Sequence, residues 1–319
     1  MKKILIDCDP GQDDAVMLLL AMASRDLEIL GVTAVAGNVP LDLTQRNIRI
    51  IRELAGRTDI PVHAGCRRPM VRPPMTAESV HGPTGIDGMD IHDPAMPLGA
   101  AHGVDFIIDT LRAQADASVT LVPTGPLTNI AMAIVKDPSI LPKIERIVMM
   151  GGAMREGGNF SPSAEFNILV DPHAAHVVFD CGRPITAIGL DASHQVVTTR
   201  PRLEAIEALG TPASAAVHGM LGFFNRHDSL KYGFGGAPLH DPCTIAWLLA
   251  PDLFASKHVN VAVETGSPLT MGHTAVDFWH VSGRDPNCDW VHSVDADGFY
   301  TLLTDHLARY PLRRPTFQP

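Results

Sequence analysis

Four carboxylates, Asp7, Asp9, Asp13 and Asp14, fall within a few residues of one another in the stretch Lys2 to Asp14, KKILIDCDPGQDD. An apolar run, Ile4-Leu5-Ile6, leads into them, and Pro10-Gly11 turns the chain between the two pairs. Ala15 to Leu20 (AVMLLL) follows with helix-forming residues. The pattern predicts a buried strand, a tight turn and a helix. The acids then stand at the strand's C-terminal end, where open α/β sheets bind ligands. Carboxylates this close repel one another unless a cation or a proton separates them. An acidic first helical turn accounts for Asp13 and Asp14 but leaves Asp7 and Asp9 unexplained, which favours a metal site. An all-oxygen donor set points to a hard cation, calcium or magnesium, rather than zinc.

Three further stretches carry polar chemistry at predicted element ends. Pro123-Thr124-Gly125-Pro126-Leu127-Thr128-Asn129 reads as a second strand-to-helix turn, with Thr124 or Thr128 capping a helix from Asn129 to Val135. Leu239-His240-Asp241-Pro242-Cys243 places Asp241 as N-cap and Pro242 as first helical residue. The preceding His240 lifts it above ordinary helix punctuation. The third, Ala153 to Asn167, is a loop of small residues ending SAEFN. A longer segment, Cys66 to Ala101, is rich in Pro, Gly and His, and loops of that length are commonly functional or disordered. It contains His81-Gly82 and a charged knot, Asp87, Asp90, His92 and Asp93, read as surface rather than as a second metal site.

DCDPGQDDA resembles the N-terminal signature of the calcium-dependent nucleoside hydrolases (the inosine-uridine-preferring type), which cleave ribonucleosides to ribose and base. The resemblance extends through most of the chain, because the later motifs recur in the family's order. It implies an α/β fold, a single domain over 1–319 with a central, mostly parallel, Rossmann-like sheet flanked by helices. It also implies a Ca2+ site formed by Asp14 and Asp241, with Asp9 and the backbone carbonyl of Thr124. Asp9 is the expected general base on water positioned by calcium, and Asp7 lies near the metal. Asp13 would accept from the ribose 2'-hydroxyl, and Asn38, Met150, Asn159, Glu165 and Asn167 match ribose-contacting positions. His240, His81 and Tyr232 would assist departure of the base, with Phe160 and Phe166 flanking it. The segment Lys231 to Trp247 looks most like the bacterial pyrimidine-preferring branch, so uridine and cytidine are the expected substrates. By resemblance the chain forms a homo-oligomer, a dimer or tetramer.

The elements that must position these residues follow from pattern. Glu28 to Ala36 predicts a second strand ending at Gly37-Asn38, and Thr44 to Ala55 an amphipathic helix with Arg46, Arg49, Arg52 and Glu53 largely on its polar side. Helices are expected over Gly103 to Ala115, after Asp171-Pro172, over Leu203 to Leu209, over Ala213 to Lys231 and over Val294 to Arg309. Strands are expected at Pro61 to Gly65, Val119 to Val122, Arg146 to Met150 and Ile185 to Leu190, with peripheral ones at Val259 to Val263 and Thr274 to Phe278.

With 319 residues, 45% of them hydrophobic, the chain has ample material for a substantial core. A net charge of -10, with scattered Lys and Arg, argues against a nucleic-acid partner. No apolar run reaches membrane-spanning length and the chain opens almost directly on a strand, so no membrane partner and a cytoplasmic location are expected. Five cysteines, none in a CxxC pair, fit reduced thiols. Two rival functions share parts of the pattern. A strand followed by DxD also opens magnesium-dependent phosphatases of the haloacid dehalogenase type, but that family has no use for Asp13-Asp14 or for HDP at the far end. A calcium-dependent nucleoside-binding protein without turnover is the other, and the intact Asp9 and His240 argue against it.

Overall fold

The structure is a computed structural model that describes residues 1–232 and 235–312, with the side chains of 227–232 outside the description. In chain order the strands are β1 (Lys2–Cys8), β2 (Leu27–Ala34), β3 (Val62–Ala64), β4 (Val119–Pro123), β5 (Ile144–Met150), β6 (Ile185–Ile188), β7 (Val197–Thr199), β8 (Gly236–Pro238), β9 (Phe254–Val259), β10 (Val261–Val263), β11 (Thr274–Val276) and β12 (Cys288–Val294). The helices are α1 (Gln12–Ala23), α2 (Leu41–Leu54), α3 (Glu78–His81), α4 (Gly103–Arg112), α5 (Thr128–Lys136), α6 (Phe166–Val170), α7 (Pro172–Phe179), α8 (Leu190–Ser193), α9 (Arg200–Glu207), α10 (Pro212–Tyr232), α11 (Pro242–Leu249) and α12 (Ala296–Leu307).

Eight strands form the central sheet in the order β3-β2-β1-β4-β5-β6-β12-β9, and only the β12–β9 pairing is antiparallel. β1 feeds β2 on one side while β4 lies on its other side, so the order reverses between β1 and β4, the kind of crevice where doubly wound sheets bind ligands. Register puts Asp7 level with Thr33 of β2 and Pro123 of β4, so three strand ends open onto one edge.

Alternation along β1 divides the core in two. Ile4, Ile6 and Cys8 pack with α1, α2, α11 and α12, whereas Leu5 packs on the opposite face with residues of α4, α5 and α7. α1 is buried from Gln12 to Met22 on every side, which its uniformly apolar sequence after Asp14 requires. Leu18, Leu19 and Leu20 are each 0% exposed, and burial of each is worth roughly 1.5–3 kcal/mol. The first helix of the chain is thus a rigid central mount for the acids at its N-terminus.

Several expectations are corrected. Neither Thr124 nor Thr128 caps α5: its N-cap is Leu127, and the two hydroxyls instead donate to Asp14 and Asp171 at 2.7 Å each. Asp241 holds the N-cap position of α11, but its side chain makes no capping bond. Arg52 does not face solvent. It is buried and donates to the Ile60 carbonyl at 2.8 Å, closing the α2–β3 connection. The expected C-terminal helix begins only at Ala296, because Cys288–Val294 forms a main-sheet strand instead. The expected strand at Val259 to Val263 splits between β9, on the sheet's edge, and β10, which pairs with β11. His92 bonds Glu53 at 3.1 Å on the surface and joins no metal cluster among the described residues. All five cysteines are free.

Candidate active site

The loop between β1 and α1 is tied from three directions. Asp7, the last acid within the strand, accepts from Thr33 Oγ1 at 2.5 Å and from Asn129 Nδ2 at 2.7 Å, which fastens β1 to β2 and to α5. Asp9 Oδ2 accepts from the Asn38 backbone N–H at 2.7 Å. Asp14 closes the α1 turn by accepting from Gly11 N–H at 3.1 Å, and its other oxygen takes the Thr124 hydroxyl at the end of β4. Asn38 Nδ2 donates to the Asp9 carbonyl and to Asp14, each at 3.2 Å.

Asp13, Asp14 and Asp241 each direct one carboxylate oxygen to a common point, the three oxygens lying within 4.8 Å of one another and all three residues buried. Asp241 reaches them from α11, which packs on α1. No Lys or Arg among the described residues pairs with these acids, and Asp9 Oδ1 and Asp13 Oδ1 are buried without a hydrogen-bond partner. Burial, reinforced by neighbouring charges, pushes Asp13 up to about 7 and holds Asp9 and Asp241 well above the usual carboxylate range, and burial raises Asp14 to about 6 against its hydrogen bonds from Thr124 and Gly11. Burial also lifts Asp7 to about 7, against the hydrogen bonds from Asn129 and Thr33. Such a set, all oxygen and short of positive charge, fits a hard divalent cation. Asp13 stands with Asp14 and Asp241 among the converging oxygens, whereas the sequence reading set Asp9, Asp14, Asp241 and the Thr124 carbonyl around the metal and gave Asp13 to the ribose.

Two glycines make room for Asp9. A Cβ at Gly37 would overlap Asp9 Oδ2, and one at Gly125 would overlap Oδ1.

The acids open into a cavity of about 940 Å³. Asp13, Asn38, Thr124 and Asp241 form its floor; Met150, Asn159, Phe160, Glu165, Phe166 and Asn167 line one wall; His81, His240, Phe223, Phe224 and Arg226 also line it. Asp9 and Asp14 do not line it. Tyr232 ends α10, and its side chain lies outside the described residues. The polar wall is built by local capping. Glu165 N-caps α6, accepting from Asn167 N–H at 3.0 Å, and also takes Gly152 N–H from the turn after β5 at 3.0 Å. Its burial raises it to about 7. Asn159 Oδ1 accepts from Phe166 N–H, and Asn167 Nδ2 donates to the Thr124 carbonyl at 2.7 Å, tying the wall to the floor. Phe160 and Phe166 meet at 5.0 Å, the former 39% exposed at the mouth.

Sequence reasoning missed several residues that hold the site. Gln12 accepts from His81 Nδ1 at 2.8 Å and donates to the His81 carbonyl at 2.8 Å, so it grips both ends of that residue. Asp191 accepts from Met154 and Arg155 N–H groups at 2.7 Å each, fixing the turn after β5. Ser193 Oγ lies 2.8 Å from His240 Nδ1. Gln12 sits inside the acidic motif and could have been suspected; Asp191 and Ser193 carried no local signal.

Residues 4–301 match the family described as inosine-uridine preferring nucleoside hydrolase. The chain belongs to that family. This nucleoside hydrolase, hence an N-glycosidase, is 45% identical over 311 residues to the pyrimidine-specific ribonucleoside hydrolase RihA of Enterobacter sp. (strain 638), covering 97% of this chain and 99% of that one. It is 48% identical over 309 residues to an uncharacterised protein of Schizosaccharomyces pombe, covering 97% of this chain and 100% of the other. A purine-preferring ribonucleoside hydrolase from Gardnerella vaginalis superposes with a TM-score of 0.90 at 31% identity, covering 96% and 98% of the two chains. Neither the family match nor these relatives support the phosphatase reading.

Proposed function

We propose that this hydrolase cleaves pyrimidine ribonucleosides, uridine and cytidine foremost, to ribose and free base, with calcium at the acidic floor of the cavity. The convergence of Asp13, Asp14 and Asp241 beneath a wall of short polar side chains carries the reading. The family match over 4–301 supports treating the chain as one hydrolase domain. Asp14, Asp241 and Asp13, with Asp9 and the Thr124 carbonyl at hand, would hold the ion. When bound, it supplies the positive charge that lets these carboxylates remain ionised and draws the vicinal hydroxyls of a ribose toward the floor.

The chain's own groups have the remaining tasks. Asp9, whose Oδ1 has no hydrogen-bond partner, is the general base for the attacking water. Asp13 also accepts from the 2'-hydroxyl, while Asn38, Asn159, Glu165 and Asn167 enclose the sugar with Met150 beneath it. Departure of the base leaves a ribose of oxocarbenium character. His240, with His81 and Tyr232, supplies the proton or hydrogen bond that the leaving base needs, and Phe160 and Phe166 flank its ring. The preference for pyrimidines rests on the RihA relatives and on the likeness of Lys231 to Trp247 to that branch.

Incubation with uridine, cytidine, inosine and guanosine, with release of reducing sugar measured, tests the whole reading. Uridine or cytidine should lead and EDTA should abolish release; a purine nucleoside as best substrate would overturn the base preference. Binding of uridine without release would leave only the non-catalytic binder.

A further inference from the structure

Ser193 is fully buried at the end of α8, and its Oγ stands between two partners: His240 Nδ1 at 2.8 Å and the Gly189 carbonyl at 3.2 Å. A hydroxyl has one hydrogen to give. If it goes to His240, the neutral ring carries its own hydrogen on Nε2. If it goes to Gly189, one turn back along α8, the oxygen is left as an acceptor and Nδ1 must be the donor. The carbonyl one turn back is a standard receiver for a helical serine. Gln12 treats the other cavity histidine in the same way: its amide nitrogen donates to the His81 carbonyl, so its Oε1 faces His81 Nδ1 at 2.8 Å as an acceptor.

We infer that Ser193 is the positioning residue for His240: it accepts from Nδ1–H, holds the ring at the cavity wall, and leaves proton transfer to Nε2. This rests on the leaving-group role proposed above. To act, the ring first takes up a proton from solvent at Nε2; when this imidazolium gives that proton to the departing base, the Nε2–H bond breaks toward the base and the ring returns to neutral with its hydrogen on Nδ1, the form Ser193 accepts from. No rearrangement of the hydroxyl is needed during the reaction. Ser193 itself does not line the cavity, so it acts through His240 alone.

The test begins with the unaltered, calcium-loaded protein. The ¹⁵N spectrum of histidine-labelled protein, with His240 assigned by its loss in His240→Asn, should show Nδ1 protonated in the neutral ring. An Nε2–H tautomer overturns the inference whatever the kinetics show. Ser193→Ala should lower kcat on uridine about ten- to one-hundred-fold, the worth of a hydrogen bond to a charged group. It should leave nitrophenyl riboside, whose leaving group departs unaided, within a few-fold of normal. Ser193→Thr, which keeps the hydroxyl, should recover uridine turnover, and KM should change little in either variant. Equal loss on both substrates, or none on uridine, overturns it. The underlying reading fails separately: His240→Ala would then depress both substrates alike, while the tautomer would still be read directly from the spectrum.

Discussion

Asp9 occupies a slot that exists only because its two neighbours across the loop ends are glycines. A methyl group at Gly125 would displace the carboxylate rather than merely crowd it, since the overlapped atom is Oδ1 itself, and the side chain is fully buried with nowhere to turn. Gly125→Ala should therefore mimic Asp9→Ala, each lowering kcat by about two to four powers of ten on both uridine and nitrophenyl riboside. Near-normal turnover by Gly125→Ala would show that the slot is not needed. His240→Ala, by contrast, should lose uridine hydrolysis and keep much of its nitrophenyl riboside activity, because only the first leaving group needs help. Asp13 makes a third case. It lines the cavity beside Asp241 with Oδ1 buried and unpartnered, and the proposed reading gives it the ribose 2'-hydroxyl. Deoxyuridine should be poorer than uridine by roughly four powers of ten in kcat/KM, and comparable rates would remove Asp13 from that role.

Among the elements, α1 couples stability to chemistry most directly. It is wrapped by the sheet, α2, α10, α11 and α12, and even its Leu19 carbonyl is met by the Tyr310 hydroxyl at 2.7 Å. Leu19→Ala should cost about 2–5 kcal/mol in urea unfolding and, by loosening the mount under Asp13 and Asp14, weaken calcium binding as well. A loss of stability with calcium affinity unchanged would separate the two. α1 and β1 were legible in the sequence because their signal is local: an apolar run, a Pro-Gly turn and an apolar helix in direct succession. β12 was not. Its sequence, CDWVHSV, mixes Asp289, His292 and Ser293 with buried Trp290 and Val291, and Asp289 is satisfied across strands, by Arg146 at 2.7 Å and by His258 at 2.8 Å. Such partners are supplied by topology, which pattern cannot see. The same holds within the site. The acids and HDP stand out by residue type and order, and the SAEFN stretch only through the family resemblance, whereas Ser193 and Asp191 bond groups some 35–50 residues distant.

For the molecule as a whole, the buried acids make metal removal a question of pH. Their native values of about 6 to 7 lie above the 3.8 of an exposed aspartate, so between those limits the folded, metal-free protein holds more protons than the unfolded chain. Stability of the chelated protein must then fall as pH rises through that window and recover on acidification. The proposed calcium ion would act in the opposite sense, because it would bind the ionised carboxylates and compete with protons. The increase in Tm on adding calcium to EDTA-stripped protein should accordingly be larger at pH 7.5 than at pH 5.5. At one hundred times its Kd the ion contributes about 2.7 kcal/mol. An equal increase at both pH values would show that these carboxylates do not bind it.

Asp14 and Asp241, brought together at one point, are separated by more than two hundred residues of chain. During synthesis the amino-terminal acids leave the ribosome long before their distant partner, so the earliest strand and helix to emerge must wait with the donor set incomplete. The first half-site holds Asp13 and Asp14 but lacks the third carboxylate, which α11 brings. If the proposed ion binds there, it joins the last third of the polypeptide to the first. With calcium as the proposed ion, its supply would then bear on how soon a newly finished chain is closed, and not only on turnover.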